Sequence, residues 1–501
     1  MKLNPESIDL ATLRDLWSGE RASLDDAARQ RVAHAAASID RIVAGGATVY
    51  GVNTGFGLLA NTRIPDGRLA ELQRNLILSH SAGLGDPLPR HVTRLMIILK
   101  LLGLGRGYSG VRPVIIDALQ GLLDRDAMPL IPSQGSVGAS GDLAPLAHLI
   151  AALMGHGSID VAGTVMPARA ALQKLEMEPL ELGPKEGLAL INGTQASTAI
   201  ALDALFMGEH IFAAALAAGA LSVDALKGSV RPFDPRISQL RGQPGQIRVA
   251  HEIAALLEGS AILASHGRCG KVQDPYSFRC QPQVMGAALD LLTNAARTLT
   301  IEAGAVTDNP IVFPDSDEAL SAGNFHAQPV AFAADMIAMA LCEVGSISER
   351  RTAVLVDPKM SGLPAFLVED SGVNSGLMIP QVTAAALVSE NKGLAYPASV
   401  DSIPTSAGQE DHVSMAPIAA RKACQIARNA AGVVAIELIA AAQGVDCHAP
   451  LETSYKLQVV HARVRTLSAY LTSDRYWSDE IAALQAAVLA GVIGPSVGLL
   501  S

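Results

Sequence analysis

The chain has 501 residues, of which 49% are hydrophobic, 17% charged and only 4% aromatic, and its net charge at pH 7 is −10. A chain of this length exceeds what one compact core usually fills, so we expect two or more domains or one large elongated domain. The acidic balance and the lack of a Lys/Arg cluster argue against nucleic-acid binding, and five scattered cysteines without a Cys-x-x-Cys spacing argue against a disulfide framework or a zinc site.

Helical periodicity dominates the sequence. The first clear helix begins at Ser23-Leu24-Asp25-Asp26, which resembles a capping box, and ends at Gly45-Gly46. Alanine-rich patterns with apolar residues three and four apart predict four long helices, over 196–226, 283–303, 330–351 and 417–443. Stretches rich in Gly, Pro and Asn are predicted to be loops: 51–61, 129–145, 183–193, 272–282, 307–325 and 402–412. We therefore predict a rigid helical bundle that presents its polar residues on loops.

The start of the chain and its apolar runs bear on location. Residues 1–6 lack the apolar core of a signal peptide, and the longest uninterrupted apolar run, 211–221, is too short to cross a bilayer. We therefore expect a cytoplasmic protein that has no membrane partner. The low charged fraction leaves much apolar surface to cover, which favours a homo-oligomer.

One predicted loop contains a tripeptide that can become an electrophile without an added cofactor. In Ala139-Ser140-Gly141 the Gly141 amide nitrogen can attack the Ala139 carbonyl carbon, and loss of two waters leaves a methylidene-imidazolone ring. Glycine permits the tight bend that this attack requires. Pro132 and Pro145 are expected to keep regular secondary structure out of the segment. The tripeptide alone is typical of an ordinary turn, so its meaning depends on its surroundings.

The surrounding stretch, 135–148, resembles almost letter for letter the signature of the aromatic amino acid ammonia-lyases. Further similar segments extend from about Tyr50 to about Met415, and they are most similar to the members that act on histidine. The resemblance implies a mainly α fold with the long central helical bundle of the fumarase/aspartase-like lyase superfamily. It also implies a smaller N-terminal helical domain, 1–195, carrying the active-site loops, a C-terminal long-helix domain, 196–501, and a homotetramer.

The resemblance also implies roles for individual residues. The electrophile would be a 4-methylidene-imidazol-5-one formed autocatalytically from Ala139, Ser140 and Gly141, with no external cofactor and no metal. Tyr50, beside the glycine turn at Gly51, would be the base that removes the β-proton of the substrate. The other residues implied as catalytic are Tyr276 and Glu410, and those implied to bind the substrate are His80, Asn192, Gln273, Arg279 and Phe325.

Several of these residues have structural alternatives. Arg279 can hold a substrate carboxylate through two parallel hydrogen bonds, but an arginine in a loop is usually solvated. Asn192 could cap the next helix, Phe325 could fill the core, and Tyr50 could pack beside a turn. Residue types alone leave these alternatives open.

Two segments favour histidine as the substrate. Ser79-His80 and Gln409-Glu410 are similar to the histidine-specific members of the family. A carboxylate can accept a hydrogen bond from an imidazole N–H and fix the orientation of the ring. The implied reaction is the non-oxidative deamination of L-histidine to trans-urocanate and ammonia, the first step of histidine degradation.

Three positions depart from the family pattern. Gly304 and Gly408 stand where asparagine is common, and Gln328 stands where the histidine enzymes usually have glutamate. These departures leave open an ammonia-lyase or 2,3-aminomutase that acts on tyrosine, phenylalanine or a modified histidine. A non-catalytic helical oligomer is the alternative from another class, but it has no chemical need for the tripeptide together with Tyr50 and Arg279.

Overall fold

Helices make up most of this computed structural model, which describes residues 1–45, 49–54, 64–266, 272–494, 498 and 500. The mainly α prediction is therefore confirmed. In chain order the helices are α1 (Leu10–Ser18), α2 (Asp26–Ala44), α3 (Leu69–His80), α4 (Arg90–Gly105), α5 (Pro113–Asp124), α6 (Leu143–Leu153), α7 (Ala168–Lys174), α8 (Glu186–Ile191), α9 (Gln195–Ala225), α10 (Pro235–Arg241), α11 (Pro244–Leu257), α12 (Ala261–Ala264), α13 (Tyr276–Arg279), α14 (Gln281–Ala303), α15 (Gln328–Val356), α16 (Pro358–Ser361), α17 (Met378–Leu394), α18 (Ala416–Asp446), α19 (Tyr455–Leu467) and α20 (Ser478–Leu489).

Short strands form small sheets beside the helices. The strands are β1 (Lys2–Leu3), β2 (Ser23–Leu24), β3 (Leu84–Pro87), β4 (Ala127–Pro129), β5 (Pro132–Gln134), β6 (Ser158–Val161), β7 (Thr164–Pro167), β8 (Ile311–Phe313) and β9 (Glu318–Leu320). The β1–β2 pair is parallel, whereas β3–β5, β8–β9 and the sheet in the order β4-β6-β7 are antiparallel. In the largest sheet Ala127 faces Val161.

The predicted start of α2 is wrong by a few residues. Asp25, not Ser23, is the N-cap, because its side chain accepts a hydrogen bond from the Ala28 amide at 2.7 Å. Ser23 and its neighbour instead pair with β1. Gly45 ends the helix, as predicted.

The four long helices are confirmed as α9, α14, α15 and α18, and each extends beyond its predicted range at one end or both. Three of them, α9, α15 and α18, are long and apolar enough to cross a membrane by length and composition. The search for uninterrupted apolar runs, which found 211–221 as the longest, did not detect these helices because single polar residues interrupt each apolar stretch. In the structure 94%, 67% and 83% of their most apolar windows are buried, as in core helices. The absence of a membrane stays a prediction.

Several predicted loops contain regular structure. Segment 183–193 contains α8, whose six residues are all buried, so no polar face reveals a helical period. Regular structure reaches both prolines of 129–145: Pro132 begins β5, and Pro145 lies in the first turn of α6, where a missing N–H is tolerated. Residues 135–142 between these elements belong to no helix or strand, as expected. Segments 272–282 and 307–325 likewise contain α13 and the hairpin β8–β9. The predicted loop 51–61 lies outside the described residues from position 55 onward.

The chain divides into two compact units. The first comprises 1–203, 296–334 and 397–421, and the second comprises 204–295, 335–396 and 422–501. The second unit contains a fully buried ion pair between Arg351 and Glu437, whose carboxylate also accepts hydrogen bonds from Ser222 at 2.7 Å and Ser348 at 2.6 Å. Each unit is assembled from three segments of the chain. The division into two contiguous domains, 1–195 and 196–501, stays a prediction.

Candidate active site

The Ala139-Ser140-Gly141 tripeptide lies between β5 and α6 in the first unit. Ala139 is buried and packs against Val413 and Met415. The Met415 amide donates a hydrogen bond to the Val137 carbonyl at 2.8 Å. These contacts attach the tripeptide to the segment that carries Glu410.

Ser140 and Glu410 are in direct contact. The Ser140 hydroxyl donates a hydrogen bond to Glu410 Oε1 at 2.8 Å, although the two residues are 270 positions apart. The other carboxylate oxygen accepts a hydrogen bond from the Thr405 hydroxyl at 2.5 Å. The carboxylate is therefore fixed toward the hydroxyl group that would be lost as water during ring formation.

Gly141 allows an unusually close approach between two backbone segments. Its φ is +75°, and a Cβ there would lie 2.2 Å from the Gly193 carbonyl oxygen. That same oxygen accepts a hydrogen bond from the Asp142 amide at 2.8 Å. Only glycine fits this position without moving the backbone. The tripeptide therefore lies directly beside Asn192-Gly193.

Asn192 caps the end of α8, and not the start of the next helix. Its side chain is buried, and among the described residues its Oδ1 atom has no hydrogen-bond partner. Its carbonyl accepts a hydrogen bond from the Lys100 ammonium at 2.7 Å. Burial lowers the pKa of Lys100 to about 7, and the nearby Asp308 opposes this shift. A buried amide with a free oxygen can bind a polar group brought to this position.

Asp142, which directly precedes α6, connects the start of that helix to α9. Its Oδ2 atom accepts hydrogen bonds from the Ser197 amide at 2.7 Å and the Ser197 hydroxyl at 2.9 Å. Burial nevertheless raises the pKa of Asp142 to about 6. Sequence reasoning did not single out Lys100 or Asp142. A usable signal existed for Lys100, since it is the one charged residue in the apolar run 95–105.

His80 and Tyr50 belong to the same unit. His80 is the last residue of α3, and its Nδ1 atom lies 2.8 Å from the Leu76 carbonyl oxygen and 3.0 Å from the Ser79 hydroxyl. Burial lowers the pKa of His80, while the hydrogen bond with the Leu76 carbonyl and the Glu410 charge act against this shift. Tyr50 is half-buried in the turn before Gly51.

Phe325 is half-buried near a pair of histidines. The neighbouring His326 ring stacks on His412, with 5.8 Å between ring centroids and 8° between planes. Among the described residues, no three His, Cys, Asp or Glu side chains are grouped so that they could hold a metal ion.

The three departures from the family pattern have different surroundings. Gln328 donates a hydrogen bond to the Ser399 carbonyl at 2.9 Å, which a carboxylate there could not do when ionised. Gly408 has a φ of +85° and open space where a side chain would be, whereas a Cβ at Gly304 would lie 3.0 Å from the Pro5 carbonyl oxygen.

Gln273, Tyr276 and Arg279 lie in the second unit. The Arg279 guanidinium carbon lies 4.5 Å from the centre of the Tyr276 ring, a cation–π arrangement. Tyr276 is 72% exposed and Gln273 is exposed. The Arg279 Nε atom is buried and has no hydrogen-bond partner within the described ranges. The Arg279 guanidinium is therefore held by the Tyr276 ring, while its Nε–H donor remains unused.

The structure thus brings together, within the first unit, the tripeptide, Glu410, His80 and Asn192, and it places Arg279 with Tyr276 in the second. A helical scaffold whose loops and helix ends carry a serine, a carboxylate, an imidazole and an amide defines a mainly helical enzyme with its candidate site at these positions. The catalytic and binding roles of these residues stay predictions.

Similarity to known proteins identifies the family. A family model described as aromatic amino acid lyase matches residues 8–466. A curated relative named histidine ammonia-lyase, from Paracidovorax citrulli, is 57% identical over 484 residues, which are 96% of this chain and 94% of the relative. The chain therefore belongs to the aromatic amino acid lyase family.

Solved structures agree over nearly the whole chain. Histidine ammonia-lyase from Trypanosoma cruzi is 40% identical, with a TM-score of 0.92 and coverage of 100% of this chain and 97% of that one. Pantoea agglomerans phenylalanine aminomutase is 30% identical, with a TM-score of 0.93 and coverage of 98% and 99%. The predicted helical lyase fold is confirmed. Because two differently named enzymes share it, the fold alone does not select the substrate.

Proposed function

We propose that this protein is an ammonia-lyase that converts L-histidine to trans-urocanate and ammonia. The observation that carries the proposal is the contact between Ser140 and Glu410 at 2.8 Å. His80 lies in the same unit, and the charge of Glu410 acts on its imidazole. A serine in the tripeptide serves ring formation, and a carboxylate near a neutral imidazole suits a substrate that itself carries an imidazole. The 57% identity to the Paracidovorax citrulli histidine ammonia-lyase supports the same substrate.

We propose that the prosthetic group is a methylidene-imidazolone formed from Ala139, Ser140 and Gly141. The residues fit this group for two reasons. Gly141 has the positive φ of a tight bend and lies against Gly193. The neighbouring Asn192 has a buried side-chain oxygen without a partner among the described residues. The ring, once formed, supplies an electron-poor centre that makes an amine a better leaving group.

The chain's own residues would bind the substrate and move its protons. Arg279 would hold the substrate carboxylate by two hydrogen bonds, and Glu410 would accept one from the imidazole N–H. Tyr50 would accept the β-proton on its phenolic oxygen while the C–N bond breaks and its electrons leave with the amine. Burial of His80 favours its neutral form, which can donate or accept a hydrogen bond without adding charge.

Peptide mass spectrometry tests the prosthetic group. The peptide containing residues 139–141 should be lighter than its translated mass by two waters, and Ser140→Ala should keep its full translated mass and lose several orders of magnitude in turnover. A fully unmodified peptide from active enzyme would refute the proposed electrophile.

A substrate panel tests the specificity. Histidine, tyrosine, phenylalanine and methylated histidines should be compared by product absorbance, and histidine should be turned over fastest. A β-amino acid product would instead favour the aminomutase alternative, which the likeness to the Pantoea agglomerans enzyme keeps open. Preference for tyrosine or phenylalanine would point to Gly304 and Gly408 as the cause.

We further propose a homotetramer located in the cytoplasm. Exposed apolar side chains on α17, among them Ile379 at 59% and Val382 at 52%, support association with further copies. Light scattering on the purified protein tests the tetramer, and cell fractionation tests the location.

A further inference from the structure

One buried amide connects three of the predicted site residues. Gln73 lies on α3 and its side chain is fully buried. Its Nε2 atom donates a hydrogen bond to the Gly51 carbonyl at 3.3 Å, and its Oε1 atom accepts one from the Leu188 amide at 3.3 Å. Both ends of the amide are therefore used by backbone groups from two other segments.

Each of the two segments carries a site residue. Gly51 directly follows Tyr50, and Leu188 lies in α8, whose C-cap residue is Asn192. Gln73 also shares its own helix with His80, two turns further along on the same face. The expected base, amide and imidazole therefore each lie on one of the three segments that meet at Gln73.

The three segments approach one another closely around Gln73. A Cβ on Gly187 would lie 2.7 Å from Gln73 Oε1 and 2.9 Å from its carbonyl oxygen. Gly51 has a φ of +72°, and a Cβ there would lie 2.3 Å from Leu188 Cδ2. Gly187 lets α8 approach the backbone of α3, and Gly51 lets the tyrosine turn approach the Leu188 side chain.

We propose that Gln73 is a positioning residue that sets the distance between Tyr50, Asn192 and His80 by joining the Gly51 carbonyl to the Leu188 amide. This inference rests on the proposed function for its catalytic consequence, although the connection itself does not. Its effect should appear in kcat, because a displacement of about 1 Å between reacting groups can cost on the order of a hundredfold in rate. KM should rise by a smaller factor, because His80 and Asn192 are expected to bind the substrate whereas Gln73 itself is not expected to touch it.

The test replaces Gln73 with methionine, which has a similar length and packs well in a core. Gln120→Met is the matched control, because Gln120 is also buried in the first unit but donates to the Ala22 carbonyl at 3.0 Å and to Asp124 at 2.8 Å. Kinetics with histidine and amide hydrogen exchange of residues 49–54 and 186–191 are measured on all proteins. We expect Gln73→Met to lower kcat about a hundredfold with a smaller rise in KM, and to raise exchange in both segments.

A second variant separates the two hydrogen bonds. Gln73→Glu keeps an acceptor for the Leu188 amide but, when ionised, has no donor for the Gly51 carbonyl. Burial favours the neutral carboxyl, whose O–H can still donate to the Gly51 carbonyl. Exchange in 49–54 should therefore rise, and kcat should fall toward the Gln73→Met value, only at pH values high enough to ionise the carboxyl, while exchange in 186–191 stays low.

The outcomes decide the inference separately from the proposed function. Wild-type kcat and exchange in Gln73→Met, or equal losses of kcat in Gln73→Met and Gln120→Met, would overturn it. If the wild-type protein does not deaminate histidine, the proposed function fails. The exchange pattern of the three variants then still decides whether Gln73 joins the two segments.

Discussion

Replacement of Lys100 by methionine should change how stability depends on pH. Burial lowers the pKa of Lys100 from 10.5 to about 7, so between these values the unfolded chain holds a proton that the folded protein has released. The free energy of unfolding of the wild type should therefore rise with pH across this window, by about 1.4 kcal/mol per pH unit from this one group. Over the whole window the contribution is roughly 5 kcal/mol.

Methionine removes this pH-dependent contribution and leaves the Asn192 carbonyl without its donor, at a cost of about 1–3 kcal/mol that does not depend on pH. The variant should thus be more stable than the wild type at pH 7, where the buried ammonium is most costly. It should be less stable at about pH 10, where Lys100 is largely uncharged in the folded protein.

Denaturant unfolding at several pH values between 7 and 10 measures the difference. Lys174→Met is the control, because Lys174 is exposed. The free energy of unfolding of this variant should change with pH in the same way as that of the wild type. A difference between Lys100→Met and the wild type that stays constant across these pH values would show that the buried amine does not titrate in this window, and the reasoning would be wrong.

Two further changes test the loop and the carboxylate clamp. Gly141→Ala would place a methyl group 2.2 Å from the Gly193 carbonyl oxygen and impose a positive φ costing about 1–2 kcal/mol. The loop peptide should then keep its translated mass, and a mass lower by two waters would contradict the close-packing argument. Arg279→Lys should lower kcat as well as raise KM, because an ammonium cannot hold a carboxylate in a fixed plane. Steady-state kinetics with histidine measure both constants, and a change in KM alone would mean that Arg279 only attracts the substrate.

Local pattern was sufficient for the features that depend on nearby residues. The long helices α9 and α18 follow from apolar residues three and four positions apart, and their observed ends lie within a few residues of the predicted ones. The tripeptide and its flanking glycines could likewise be recognised from one short stretch of sequence. Roles such as that of Glu410 came from resemblance to a family, and not from any property of the isolated segment.

Features that depend on burial or on distant partners could not be predicted in this way. α8 is buried on every face, so its sequence has no polar stripe to mark it as a helix. Lys100 is 92 positions from Asn192 and Gln73 is 115 positions from Leu188, and no local spacing relates such residues. Asp25 took the capping position from Ser23 because the preceding residues were drawn into a strand pair with the start of the chain.

The long separation between Ser140 and Glu410 also has a consequence for the newly made protein. Their hydrogen bond joins residues 270 positions apart. At synthesis rates of about 5–20 residues per second, roughly 15 to 55 s pass between the addition of the serine and the addition of its carboxylate partner. During that interval the growing chain carries the tripeptide without the group that receives its hydroxyl hydrogen bond, and any fragment that ends before residue 410 never acquires it.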